Sequence, residues 1–304
     1  MAQSAESRLR YELMETSVVT NLLLPLALGI VMLGLGLSLT TDDFRRILRY
    51  PRAVLVGLAT QTLVLVAIAY ALTQWFDLSP ELSVGLMLLA ASPGGATANI
   101  YSHLAKGDVA LNITLTAINS ALALITLPLI VNFSLAHFLG QEQYVPPPTR
   151  KIVEVAVIIV LPVLIGMALR ASRPLSAARL ERPIRIFAVL VLLAVILAAI
   201  GAEWSRLPGF IAAVGGACLA FNLLSIGVGY GLPRLLKLER SQSIAISMEI
   251  GIHNGTLAIF IALNVLQNAQ MSIPAAVYSI IMFLTAGVFA YGLARIPSVS
   301  RIAP

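Results

Sequence analysis

Residues 248–255 read MEIGIHNG and lie within a run of otherwise apolar sequence. Glu249 is the residue that such a run accommodates least well, because a carboxylate at the centre of a bilayer costs about 2.5 kcal/mol or more. Gly251 and Gly255 bracket His253 and Asn254, which predicts an interruption in a membrane-spanning helix. Non-helical backbone is tolerated at membrane depth only inside protein or beside a cavity. The stretch therefore predicts a functional site within an all-α bundle.

The composition is that of a polytopic membrane protein. Of 304 residues, 59% are hydrophobic and 11% are charged, with a mean hydropathy of +0.92. A soluble domain has about 25% charged residues. The formal net charge of +6 is explained by loops on one side of the membrane rather than by nucleic-acid binding. The single cysteine, Cys218, excludes an intrachain disulfide and a cysteine-based metal site.

Nine segments have the roughly 20 apolar residues that a transmembrane helix needs. They lie at about residues 17–39, 52–75, 81–104, 108–133, 151–171, 184–202, 208–232, 242–266 and 272–294. Short loops join them, which predicts one membrane domain over 1–304. Fifteen of the 20 Lys and Arg residues fall on one side of this arrangement. The positive-inside rule then predicts a multi-pass protein of the cell (inner) membrane, with its N-terminus outside and its C-terminus in the cytoplasm.

A second interruption is predicted at residues 92–99, which read SPGGATAN. Pro93 removes a backbone donor, and Gly94 and Gly95 add backbone freedom. If the first half has lost its first helix, the third and eighth predicted helices occupy equivalent places in two inverted repeats. A matched pair of interrupted helices indicates a secondary transporter with its site near the midplane. The simpler alternative is that Gly and Pro are common in membrane helices and that the nearby polar residues only satisfy freed backbone groups.

Polar residues in the neighbouring segments could complete the site. One face of the fourth predicted helix carries Asn112, Thr116, Asn119 and Thr126. Helix N-termini at the breaks favour anions, and freed carbonyls and side-chain oxygens favour small hard cations. Such residues also form hydrogen bonds between packed helices. For Gln61 in the second predicted helix, the sequence is equally compatible with helix packing and with cation binding.

Three stretches resemble bacterial-type members of the bile acid:sodium symporter family. They are GLGLSLTTDDF at 34–44, SPGGATANIYSHLAKGDVALNITLTAINS at 92–120 and MEIGIHNGTLAIFIA at 248–262. The resemblance is to the nine-helix form of the family. It implies a panel domain formed by helices 1, 5 and 6 of the nine, and a core domain formed by the other six, in which the two broken helices cross. It also implies a symporter that couples sodium influx to uptake of an organic anion by alternating access. The anion would be bile acid-like or a small carboxylate such as pantoate or a keto acid.

The resemblance further implies one or two sodium ions and no organic cofactor. The residues that match the first sodium site are Asn99, Thr116 and Glu249, and Asn112 stands where a serine is common but still supplies a carbonyl oxygen. Those that match the second are Gln61, Glu249, the main chains of Ile250 and Ile252, and His253 in place of the usual glutamine. Ala98 stands where members often have a hydroxyl. The substrate is expected at the breaks, beside Gly95, Thr97 and Asn254.

Other functions are compatible with parts of this pattern. His253 could couple a proton instead of a sodium ion, since its ordinary pKa lies near 6.5. A membrane sensor would bind ligand without a cation requirement. Export of the arsenite type is disfavoured because Ser92, and not a cysteine, precedes the first break. Enzyme motifs are absent from the sequence. The expected partners are a small organic anion and membrane lipid, and no nucleic acid. The protein is expected to be a monomer.

Overall fold

The computed structural model describes residues 24–95, 97–140, 149–184, 186–187, 190 and 207–295. Within these ranges every regular element is a helix, and one isolated β-bridge joins two interrupted segments. The all-helical prediction is confirmed at this level. Almost all of the predicted helix at 184–202, and residues 17–23 of the first predicted helix, lie outside the described residues. The count of nine helices therefore stays a prediction.

The helices follow the predicted segments closely, and ten of them are numbered here. They are α1 Leu24–Ser38, α2 Pro51–Trp75, α3 Pro80–Ala91, α4 Ala98–Leu104, α5 Val109–Phe138, α6 Thr149–Ser172, α7 Leu207–Leu235, α8 Arg240–Gly251, α9 Gly255–Val265 and α10 Ile273–Arg295. A short helix, Thr41–Arg45, lies between α1 and α2, and residues 174–184 are also helical. Pro51 and Pro80 occupy the first positions of α2 and α3, where the missing N–H of proline has no intrahelical partner to lose.

Several of these helices are long and apolar enough to cross a membrane. In the described part of the chain there are four, within α2, α5, α7 and α10. Their outward faces carry exposed leucines, such as Leu63, Leu129 and Leu284, each 64–68% exposed. By contrast, α3 and α8 are buried along almost their whole length. The two interrupted helices therefore form the centre of the bundle, and the long helices surround them.

The two halves of the chain share a backbone pattern. Both α3 and α8 contain 12 residues and follow a turn with one left-handed non-glycine residue, Asp77 (φ 46°) or Lys237 (φ 60°). A second such residue follows each interrupted pair, Lys106 (φ 62°) after α4 and Gln267 (φ 52°) after α9. Left-handed non-glycine residues are uncommon, so their occurrence at equivalent places in the two halves of the chain indicates that the halves have similar backbone structures. It supports the predicted repeat, whose inverted topology stays a prediction.

Two helices of the predicted panel, α1 and α6, pack together through glycines. A Cβ at Gly36 would collide with the main chain of Val163, and a Cβ at Gly166 would lie 2.6 Å from the carbonyl oxygen of Leu33. Small residues let membrane helices approach closely, where van der Waals packing stabilises them. This contact joins the first and fifth predicted helices.

We expect Gly166→Leu to force α1 and α6 apart and to destabilise the protein by about 1–3 kcal/mol. The measurement is the midpoint of thermal unfolding of the purified chain. The matched control is Gly227→Leu on α7, since a Cβ at Gly227 meets no heavy atom within 4 Å. Equal midpoints for the two variants would contradict close α1–α6 packing.

Candidate cation and substrate site

The two helix interruptions lie against each other at the centre of the bundle. Gly94 and His253 form an antiparallel β-bridge. The Gly95 N–H donates to the Ile252 carbonyl at 2.7 Å, and the Asn254 N–H donates to the Pro93 carbonyl at 2.8 Å. Each interruption thus satisfies backbone groups that the other has freed. The interruptions fall between Ala91 and Ala98 and between Gly251 and Gly255, within the stretches predicted from the sequence.

Glu249 lies in the last turn of α8 and is fully buried beside this crossing. Its carboxylate accepts hydrogen bonds from Thr116 Oγ1 at 2.5 Å and from Asn119 Nδ2 at 3.2 Å. Gly94 of the other interruption is in direct contact with the same carboxylate, with no room for a Cβ. Among the described residues, no Lys or Arg side chain forms an ion pair with Glu249. A buried carboxylate with only neutral partners lacks the charge compensation that a bound cation would supply.

Amide side chains on the surrounding helices leave oxygen atoms free. Gln61 Nε2 donates to the carbonyls of Ala90 and Ser92 at 3.0 and 3.1 Å, and Asn112 Nδ2 donates to the carbonyl of Ala245 at 2.7 Å. These bonds commit the nitrogens and leave the oxygens as acceptors. The buried amide oxygens without a hydrogen-bond partner in the described part of the chain include those of Gln61, Asn99, Asn112 and Asn119. Hard cations take carboxylate and carbonyl oxygens as ligands, so this donor set fits sodium.

Gln61 reaches the first interruption from a π-helical turn, Thr60–Val64, within α2. Single π-helical turns inside α-helices occur frequently at functional sites. The side chain bridges two carbonyls at the C-terminal end of α3, where the interruption has removed their helical partners. Gln61 therefore belongs structurally to the crossing and not to an outer packing surface.

His253 occupies an aromatic environment. Its ring stacks on Phe221 with a centroid distance of 5.6 Å and meets Tyr278 edge-on at 5.4 Å. Nδ1 lies 3.1 Å from the Ser92 carbonyl, and Nε2 has no hydrogen-bond partner among the described residues. In a neutral ring the Nδ1–H would donate to Ser92 and Nε2 would keep a free lone pair.

The main-chain carbonyl oxygens predicted to bind sodium differ in the hydrogen bonds that they already accept. The Ile252 carbonyl accepts the bridge hydrogen bond from Gly95. The preceding carbonyl, that of Gly251, accepts from both Asn222 Nδ2 and the Tyr278 hydroxyl, each at 2.9 Å. Ile250 is fully buried one residue after Glu249. One lone pair of the Ile252 oxygen is therefore committed to the bridge, and the other is left for a ligand.

The residues predicted to meet the substrate lie at the starts of the second half-helices. Asn254 is the N-cap of α9, and its Oδ1 accepts from the Leu257 N–H at 3.0 Å. Thr97 is the N-cap residue of α4, and its side chain makes no capping hydrogen bond. Gly95 takes part in the bridge, and a Cβ there would lie 3.1 Å from the His253 carbonyl oxygen. The N-terminal end of α9 carries partial positive charge, which suits an anion.

A cavity of about 730 Å³, including its open mouth, adjoins the crossing. It lies between α5 and α9 on one side and α1 and α6 on the other, and Pro93 of the first interruption forms part of its wall. The remaining lining residues are Met32, Ser120, Ala123, Leu124, Leu127, Pro128, Val131, Asn132, Ile159, Leu257, Ile261, Val265 and Leu266. A lining that is mostly apolar with a few polar groups is typical of sites for organic molecules.

The sequence model of the sodium bile acid symporter family (SBF) matches residues 25–207, which is more than half of the chain. The chain belongs to the sodium bile acid symporter family. It is therefore a member of a family of sodium-dependent membrane transporters, as the sequence motifs predicted.

Relatives are 25–28% identical to the chain over the aligned residues. Identity is 25% over 254 residues with the "uncharacterized sodium-dependent transporter YocS" of Bacillus subtilis (strain 168), covering 83% of this chain and 77% of that one. It is 27% over 267 residues with the "probable sodium/metabolite cotransporter BASS2, chloroplastic" of Oryza sativa subsp. japonica, covering 86% and 61%. It is 28% over 159 residues with the rat "hepatic sodium/bile acid cotransporter", covering 52% and 44%. The chain thus spans less than two thirds of the last two proteins.

Two contacts of Glu249 were not among the predicted ligands. Asn119 follows Thr116 by three residues on the same helix face, so its spacing was a signal for its place beside Glu249. The sequence predicts for Gly94 only that it helps to interrupt a helix. Its close contact with the carboxylate depends on how the two interruptions cross, which the sequence does not show.

Proposed function

We propose that this protein is a secondary symporter that couples sodium influx to the uptake of an organic anion by alternating access. The observation that carries the proposal is the fully buried Glu249 carboxylate, which has neutral hydrogen-bond donors and neighbouring helices with unpaired amide oxygens. A bound positive charge would compensate the carboxylate in such an arrangement, and the oxygens suit a hard cation.

The first sodium ion would bind to Glu249 together with Asn99, Asn112 and Thr116. Thr116 already contacts the carboxylate, and the oxygens of both asparagines lack partners within the described residues. The negative charge of Glu249 supplies the main attraction, which a low-dielectric interior strengthens.

A second sodium ion would bind between Gln61 and the second interruption, sharing Glu249. The other ligands there would be the main-chain oxygens of Ile250 and Ile252 and His253 Nε2. Imidazole nitrogen is a poorer sodium ligand than the oxygen of the usual glutamine, and one lone pair of the Ile252 oxygen is already used. We therefore expect the second site to be weaker than the first.

The organic anion would bind at the N-terminal end of α9, beside Asn254, Thr97 and Gly95, and extend into the adjoining cavity. Without sodium, the Glu249 carboxylate repels an anion at the crossing. A sodium ion at Glu249 removes this repulsion, so each ligand increases the affinity for the other. This reciprocal effect is the physical basis proposed for coupling. The names of the relatives, a metabolite cotransporter and a bile acid cotransporter, support an organic substrate for this chain.

The transport cycle would move the panel against the core. The proposed panel contains 17–39, 151–171 and 184–202, and the proposed core contains 52–75, 81–104, 108–133, 208–232, 242–266 and 272–294.

The cavity residues lie towards the predicted external ends of α5 and α9, and the short helix Thr41–Arg45 packs on α5. With the N-terminus outside the cell membrane and the C-terminus in the cytoplasm, this conformation would be open to the outside. A monomer would suffice for such a cycle.

We expect sodium, and not potassium, to raise the thermal unfolding midpoint of the purified protein. A ligand that binds only the folded state stabilises it by about 2.7 kcal/mol at 100 times its Kd. Proteoliposomes with an inward sodium gradient should then accumulate taurocholate or pantoate.

The controls separate the alternatives to sodium symport. The measurements are made at about pH 6 and about pH 8, on either side of the ordinary histidine pKa. Uptake driven by a pH gradient without a sodium effect would replace the proposal with proton coupling through His253. Binding without uptake under either gradient would favour a membrane sensor.

A further inference from the structure

Two polar residues of α5 stand out in the lining of the cavity. Among the described residues that line it, none is charged, and Ser120 and Asn132 are the polar ones. Ser120 Oγ and Asn132 Oδ1 are both buried without a hydrogen-bond partner in the described part of the chain. A polar atom withdrawn from water with no partner costs free energy, so each is a place where a ligand group could improve stability.

The two residues mark opposite ends of the cavity. Ser120 follows Asn119, which hydrogen-bonds to Glu249, so the Ser120 end lies at the crossing. Asn132 is twelve residues further along α5, a distance of about 18 Å at the helical rise per residue. A ligand whose anionic group lies at the crossing must therefore be long to reach Asn132.

The wall between these residues offers a further acceptor. Pro128 lies inside α5 and has no N–H to donate to the carbonyl of Leu124, four residues earlier. Both Leu124 and Pro128 line the cavity, beside apolar residues such as Leu127 and Val131. The outer part of the cavity thus combines an apolar surface with hydrogen-bond acceptors.

We propose that Asn132 determines substrate specificity by accepting a hydrogen bond, through Oδ1, from a hydroxyl or N–H group that an apolar substrate body carries far from its anionic group. This rests on the proposed organic-anion symport and adds to it the position at which the substrate is distinguished. An amide oxygen accepts and cannot donate, so the group recognised is a donor. A small carboxylate bound at the crossing is too short to make this contact.

The test uses two anions that differ by one hydroxyl, lithocholate and 5β-cholanate, the second of which lacks the ring hydroxyl remote from the carboxylate. Binding to the purified full chain is measured in sodium. We expect the wild type to bind lithocholate about tenfold more tightly, the size of one net hydrogen bond. Asn132→Leu should remove this preference by weakening lithocholate binding while leaving 5β-cholanate binding unchanged or stronger.

The matched control is Ser134→Ala, also on α5. Ser134 is buried and donates to the Ile130 carbonyl at 2.7 Å, away from the cavity lining. It should keep the wild-type preference. Sodium-dependent stabilisation of Asn132→Leu shows that this variant is folded.

The outcomes separate the two proposals. If the wild type and Asn132→Leu have the same ratio of lithocholate affinity to 5β-cholanate affinity, the role of Asn132 is overturned and sodium symport is left intact. Sodium stabilisation without binding of either anion to the wild type also overturns it, because the cavity then does not accept a long anion. Absence of both sodium and anion effects overturns the proposed function itself.

Discussion

Glu249→Gln is expected to weaken sodium binding about a hundredfold or more, which corresponds to roughly 2.7 kcal/mol or more of binding free energy. The substitution keeps the shape of the side chain and removes its negative charge. Since no basic residue pairs with Glu249 in the described part of the chain, that charge is the main source of cation attraction. The measurement is the rise in thermal unfolding midpoint over a sodium titration, with potassium replacing sodium at constant ionic strength.

This variant should still fold. The amide oxygen of glutamine can accept the hydrogen bond from Thr116, and burying a neutral amide costs less than burying a carboxylate. The matched control is Asp42→Asn, which removes a carboxylate that is 71% exposed and contacts Arg45 at the protein surface. The control should respond to sodium as the wild type does. A wild-type sodium response in Glu249→Gln would contradict the assignment of Glu249 as a cation ligand.

Gly94→Ala is expected to reduce sodium affinity at least tenfold and to destabilise the fold by about 1–3 kcal/mol. The added methyl group would overlap sterically with the Glu249 carboxylate. The backbone at Gly94 cannot easily move away, because the β-bridge to His253 holds it. The carboxylate would therefore be displaced from Thr116 and from the proposed ligands. Sodium titration and thermal unfolding measure the two effects.

The control for this substitution is Gly227→Ala on α7, where a Cβ meets no heavy atom within 4 Å. Alanine is favoured over glycine in a helix by about 1 kcal/mol, so this control should be unchanged or more stable. If Gly94 acts through the carboxylate, Gly94→Ala should reduce sodium affinity little further in a Glu249→Gln background. A full additional loss in the double variant would show that Gly94 acts by another route.

The positions of both interruptions could be predicted because their chemistry is visible in the sequence. Pro93 cannot donate to a helix, and a carboxylate within an apolar run indicates a site inside protein. The predicted stretch 92–99 begins one residue after the end of α3 and contains the start of α4, and the stretch 248–255 contains the end of α8 and the start of α9. Helix bounds agree less closely at the membrane surfaces, where α5 continues to Phe138 beyond the predicted residue 133.

Other features could not be predicted from one sequence. Lipid is as apolar as the interior of the bundle, so the apolar pattern of α5 does not indicate which side faces Glu249. The polar residues indicate it only in part, since Asn119 contacts Glu249 while Thr126 donates to its own Leu122 carbonyl. The π-helical turn at Thr60–Val64, which contains Gln61, has no distinctive sequence signal.

The β-bridge at the crossing has a consequence for how such proteins can diverge. Main-chain atoms alone form its two hydrogen bonds, so the side chain at position 253 can change while the crossing persists. His253 stands at this bridge, where the resemblance to the family implies a glutamine. We therefore expect that a single substitution at this position can alter the proposed ion preference, because the backbone alone maintains the crossing.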